Sequence, residues 1–148
     1  MSDGLPDPVN AALRPFRYRH RVRYRECDPM GVAYHAHAVD WFEAARTEAL
    51  RAAGMPYREL EASGIILPVV DLGVRYRRSV HYDDLIEVAV TVEPPAGPRL
   101  QTRYAVCVVC DGEAEATVRI EGEVLLCFVD AARGRPVRAP ERVAALLR

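Results

Sequence analysis

Lysine does not occur anywhere in the 148-residue sequence; every basic side chain is arginine. That excludes Schiff-base chemistry on a lysine amine and a phosphate loop built around lysine. Serine is scarce as well. Ser2, Ser63 and Ser79 lack the elbow motif of a serine hydrolase, so no Ser-His-Asp triad is expected. Long apolar runs are missing too: stretches such as Val124 to Val129 fall far short of the ~20 residues that a membrane span needs. The opening "MSDGLPDPVN" has neither the basic start nor the apolar core of a signal peptide. Residues 1–15 are read as a leader and 16–148 as one domain. A cytosolic protein with no membrane partner is expected.

Cysteine is limited to four residues, which in the cytosol are expected to be reduced. Cys107 and Cys110 form a C-x-x-C, but it lies in the β-branched run "YAVCVVC", whereas the redox motif needs a helix N-terminus to lower a thiol pKa. A zinc site would have to recruit Cys27 and Cys127 from distant segments, which is not a ligand spacing. Buried structural cysteines are expected, with no metal and no cofactor. Charge of one sign is also lacking. A net charge of -1 provides no global field toward nucleic acid or anionic lipid.

What is present is an ordinary globular balance, 50% hydrophobic and 28% charged, in a length that suits one domain. Residues 16–25, "FRYRHRVRYR", alternate without a break, so Phe16, Tyr18, His20, Val22 and Tyr24 share one face and the arginines the other. Basic and aromatic interleaving also suits RNA, whose bases stack on rings. Later strands weigh against that reading. Arg75 and Arg77 in "LGVRYRRSV" find counterparts in Glu87, Glu93, Glu115, Glu121 and Glu123 of other strands. Arginine strands beside glutamate strands predict cross-strand charge pairs on a solvated or interface face.

Between these strands, Val39, Phe42, Ala45, Ala49, Leu50 and Ala53 recur at three- and four-residue steps, predicting a helix over about 34–53. Gly54 supplies a left-handed stop and Pro56 prevents resumption. A short second helix is expected at "YRELEA". Strands are expected near 67–79, 84–93, 99–110 and 114–129, and a terminal helix in "APERVAALLR" with Pro140 in its first turn. One strand, one long helix and four antiparallel strands make an α+β plan in which sheet and helix cover each other.

The start of the long helix is chemically unusual. The first four N–H groups of any helix lack internal partners, and Ser, Thr, Asp, Asn or Gly normally supplies one. From Val32 to Val39 none of these occurs. Such a start carries partial positive charge and open donors, suited to a polarised carbonyl oxygen. Asp28 lies just upstream in D-P-x-G, where Pro29 and Gly31 make a tight reversal. A carboxylate beside an oxyanion site is the equipment of acyl transfer.

The stretch "CDPMGVAYHAHAVDWFEAAR" resembles the hot-dog-fold acyl-CoA thioesterases of the 4-hydroxybenzoyl-CoA thioesterase type. Their signature is an aspartate, two residues and a glycine, then tyrosine–histidine–alanine–asparagine–tyrosine, then tryptophan or phenylalanine–glutamate–x–alanine–arginine. The resemblance implies a five-stranded antiparallel sheet wrapped around one long central helix. It further implies an acyl-CoA substrate, a homodimer or homotetramer, and a site between subunits. Asp28 falls on the catalytic carboxylate, and His35 where a backbone N–H polarises the thioester carbonyl. Gly31, Tyr34, Ala36 and Glu43 fall on the substrate-binding stretch, and Arg46 matches as a structural partner. Two positions depart: His37 stands where asparagine or serine is common, and Ala38 replaces a bulky aromatic, which would enlarge a pocket.

From the residues themselves, the His35 side chain is read as a hydrogen-bonded pocket wall, His37 as lining, and Trp41 as packing or interface. Glu43 is read either as pairing with Arg46 or as positioning water. Asp28 either attacks the carbonyl or deprotonates water. Two other functions compete: a non-catalytic module binding acyl or CoA esters on the same scaffold, and a dehydratase, whose His or Glu pair is not seen.

Overall fold

Alternation in the first strand is real but shorter than the pattern predicts. The computed structural model describes residues 15–147; the expected leader lies, apart from Pro15, outside the described residues. Strand β1 runs Phe16–Arg21 with every second residue half-buried. The chain then leaves the sheet: Tyr24–Glu26 form a 3-10 turn, and Tyr24, expected on the apolar face, is 81% exposed. The cause is Glu26, whose carboxylate accepts the Arg23 amide at 2.7 Å and closes the turn on itself.

The long helix α1 spans His37–Ala52 and buries Ala38, Trp41, Phe42, Ala45, Ala49 and Leu50. Gly54, with φ at +95°, turns the chain out of it as expected. Helix α2, Tyr57–Ala62, follows after Pro56, and β2, Ile65–Ile66, leads into β3, Val69–Tyr76. Strands β4 (Leu85–Val92), β5 (Arg99–Cys110), β6 (Glu113–Ala114) and β7 (Ile120–Cys127) come next. Short β8 (Val129–Asp130) and β9 (Arg135–Pro136) precede α3, Glu141–Leu146, which Pro140 caps from outside rather than entering its first turn.

The main sheet is antiparallel in the order β1-β4-β5-β7-β3, with β6 folded back on the end of β5. Its inner face, with Ile86, Val88, Val90, Leu100, Val106, Val124 and Leu126 buried, wraps around α1. This is the hot-dog arrangement expected from the resemblance. Gly122 shows how close that wrap is: a Cβ there would lie 2.3 Å from Phe42 Cε2. On the opposite face the expected charge pairs form, among them Arg17 and Arg19 with Glu87, Arg77 with Glu121, and Arg103 with both Glu93 and Glu123.

The expected strand over 114–129 is split. Val106 pairs with Ile120 and Val109 with Ala114, so the chain from 114 to 120 covers twice the steps of its partner and must loop out. The cysteines also differ from expectation. All four are free, but none is fully buried and Cys110 is exposed. Cys107 and Cys110, three positions apart on one strand, point to opposite faces. No helix among the described residues is long and apolar enough to cross a membrane.

Candidate active site

The segment carrying Asp28 folds back on itself before α1 begins. The Asp28 amide donates to the Val32 carbonyl at 2.8 Å, and the Tyr34 amide to the Glu26 carbonyl at 2.8 Å, forming a small hairpin. Its tip is the D-P-M-G turn, closed by the Gly31 amide on the Asp28 carbonyl at 3.0 Å, with Gly31 at φ +75°. That left-handed conformation is one a side chain would strain. The hairpin docks on the segment before β4 through the Ala33 amide to the Val80 carbonyl (2.7 Å) and the Tyr82 amide to the Gly31 carbonyl (3.0 Å).

Within this hairpin the two oxygens of Asp28 have different surroundings. Oδ1 accepts the amides of Met30 at 2.8 Å and Val32 at 3.2 Å, holding the carboxylate in place. Oδ2 has no partner among the described residues. One oxygen is anchored and the other is available.

The helix start is shifted from the expected Tyr34 to His37, with Ala36 as an N-cap that offers no side-chain bond. The amides of His37, Ala38 and Val39 donate to the carbonyls of Tyr34, His35 and Ala36 at 3.0, 3.4 and 3.2 Å. These tight turns consume donors that an uncapped helix would leave open. The open amides are instead those of His35 and Ala36, which have no acceptor among the described residues. Both lie at the positive end of α1.

Around them stands an aromatic group. The His35 ring packs against Tyr34 at 4.2 Å between centroids and meets Tyr76 edge-on at 6.4 Å. It makes no hydrogen bond among the described residues, contrary to expectation. The Tyr76 hydroxyl donates to the His35 carbonyl instead, and burial pushes that phenol's pKa up, keeping it a donor. His37 turns its Nδ1 to Asp40 at 3.0 Å, on the flank of the helix. Ala38, read as enlarging a pocket, is buried in the core. Glu43 is exposed and does not pair with Arg46, whose guanidinium donates to the Tyr104 hydroxyl at 3.1 Å.

Sequence reasoning missed Glu26. It is 7% exposed, and its carboxylate accepts His20 Nε2, Trp41 Nε1 and the Arg23 amide, each at 2.7 Å. Burial pushes its pKa up, but these bonds outweigh it and the net value is lowered, so the carboxylate is ionised and His20 donates. The signal available was an acidic residue three positions after Arg23, at the point where alternation stops. Cys27, beside Asp28, has its thiol pKa raised by burial and by the charges of Glu26, Asp28 and Asp84, which disfavours a thiolate.

The model of the thioesterase-like superfamily matches residues 22–147. YneP of Bacillus subtilis is 38% identical over 72 residues, a match that takes in 49% of this chain and about half, 52%, of that protein. The acyl-CoA thioester hydrolase YbgC of Escherichia coli O6:H1 is 32% identical over 130 residues, covering 88% of this chain and 93% of YbgC. Among solved structures, DHNA-CoA thioesterase from Staphylococcus aureus is 31% identical with a TM-score of 0.76, covering 84% of this chain and 80% of that one.

Proposed function

The chain belongs to the thioesterase-like superfamily, and we propose that it hydrolyses acyl-CoA thioesters to the free acid and coenzyme A. One conjunction carries this reading: a single hairpin bears an unclaimed Asp28 oxygen and leads into two unclaimed amides, those of His35 and Ala36. The thioester oxygen becomes negative as its carbon turns tetrahedral, and each well-aimed amide lowers that barrier by ~3–4 kcal/mol. Asp28 Oδ2 supplies the other half. Either it attacks the carbonyl carbon, expels the CoA thiolate and leaves a mixed anhydride for water to cleave, or it takes the proton of an attacking water. Cys27 is a poor alternative nucleophile because its thiol is held neutral. Gly31, Tyr34 and Ala36 shape the approach to these atoms.

The relatives' names support the substrate class, since YbgC is an acyl-CoA thioester hydrolase. A homodimer or higher oligomer belongs with the reading. Edge strand β3 leaves Val69, Val70, Leu72 and Tyr76 exposed, and open apolar edges are covered by pairing with a second copy. Light scattering at micromolar concentration checks this. The cysteines, all free, suit the cytosol.

A panel of aliphatic and aromatic CoA thioesters, assayed for free thiol release, tests the activity. Turnover of at least one member is expected. Binding of CoA esters with no thiol release from any of them would replace the hydrolase reading with a binding module.

A further inference from the structure

The open amides of His35 and Ala36 belong to successive peptide groups that are held in different ways. In the first group, the Tyr34 carbonyl opposite the His35 amide accepts the His37 amide at 3.0 Å, within the turn that starts α1. In the second, the His35 carbonyl opposite the Ala36 amide accepts the Ala38 amide only at 3.4 Å, beyond the ordinary range for such a bond. Its firm partner comes from the sheet: the Tyr76 hydroxyl. A trans peptide group is planar, with its carbonyl and its N–H pointing in opposite directions, so whatever grips one aims the other. Resting on the hydrolase reading above, we propose that Tyr76 is a positioning residue for the reaction: by holding the His35 carbonyl it directs the Ala36 amide at the thioester oxygen.

The anchor is fixed independently of the helix start. Tyr76 closes β3, opposite Ile120 of β7. The next two amides, of Arg77 and Arg78, both donate to the Arg119 carbonyl at 2.9 and 3.0 Å. Arg119 Nη1 in turn donates to the Ser79 carbonyl at 2.8 Å, which ties the segment just after β3 on both sides. The ring is placed as well. It meets the His35 ring edge-on at 6.4 Å and stands beside Val32, Ala33 and Ile120 around one pocket. Burial raises the phenol's pKa above its ordinary value of 10, so the hydroxyl keeps its proton and donates at neutral pH. A hydrogen bond accepted by a carbonyl also polarises its peptide and strengthens the N–H as a donor. Tyr76 therefore acts on the proposed oxyanion through the peptide in two ways, by direction and by polarity.

Tyr76→Phe removes one hydroxyl and keeps the ring. On the best thioester of the panel, kcat should fall about tenfold. KM, the melting temperature and the size of the assembly by light scattering should change little. A hydroxyl that only fastens the sheet to the helix would lower the melting temperature and leave kcat alone. Ligand binding separates the two roles again. A trifluoromethyl ketone carried on coenzyme A presents a carbonyl that forms a tetrahedral, oxygen-bearing adduct, whereas the matching thioether presents no oxygen. By calorimetry, Tyr76→Phe should bind the ketone about tenfold more weakly and the thioether as wild type does. An unchanged kcat, or equal weakening of both ligands, would overturn the assignment. If wild type releases thiol from no thioester, the hydrolase reading fails and calorimetry alone decides. Selective weakening of the ketone then upholds the aimed amide, and a lack of selectivity removes it.

Discussion

The Trp41 indole donates to Glu26 Oε2 at 2.7 Å, joining α1 to the segment that carries Asp28. With His20 Nε2 and the Arg23 amide on the other oxygen, Glu26 links strand, turn and helix through one buried carboxylate. Its backbone carbonyl accepts the Tyr34 amide, so the same residue also sets the base of the Asp28 hairpin. The geometry of the proposed site therefore depends on a buried carboxylate that lies outside it.

This network makes stability acid-sensitive. Glu26 has a folded pKa below the ordinary value of 4.5, so its contribution is fully present above that value and is lost as pH falls through the folded one. Thermal melts from about pH 6 down to about pH 3 should show a decline that Glu26→Gln flattens. Glu26→Ala leaves the Trp41 and His20 donors without a partner and should cost about 2–4 kcal/mol at neutral pH, read by urea unfolding. Equal acid sensitivity in wild type and Glu26→Gln would show that other carboxylates carry it.

Asp28→Asn keeps an oxygen to accept the Met30 and Val32 amides but removes the charge from the free position. On the best thioester of the panel, kcat should fall on the order of 10²–10⁴ while KM changes little, with circular dichroism unchanged. His37→Ala is the control: its ring is occupied with Asp40, so kcat should fall by less than about tenfold. Retention of more than about a tenth of wild-type kcat by Asp28→Asn would make Asp28 a turn former only.

Gly122→Ala tests the wrap of the sheet on the helix. Its methyl would meet the Phe42 ring at 2.3 Å, and Phe42 is fully buried and stacked at 4.4 Å on Tyr104, the cross-strand partner of Gly122. The ring has no easy retreat, so a loss of about 1–3 kcal/mol is expected in urea unfolding. A neutral result would mean that α1 shifts freely over β7.

Much of this molecule is determined locally. The stripe of α1 and its stop at Gly54 were legible because helix periodicity and a left-handed glycine act within a few residues. The arginine–glutamate face was legible for the same reason, since alternation assigns side chains to faces whatever their partners. The D-P-M-G reversal was legible too, because proline and glycine restrict the backbone on their own.

What the sequence could not determine by itself depends on residues far along the chain. β1 ends at Arg21 because Glu26 finds Trp41 and His20 in the folded state. The stretch 114–129 is split by its register on β5. An uncapped helix start pointed to open donors without saying which ones. Tight turns at Tyr34, His35 and Ala36 consumed the amides of His37, Ala38 and Val39, moving the open pair upstream. A missing cap is visible in one dimension. Which amides stay free is decided by how the docked hairpin delivers the chain to the helix.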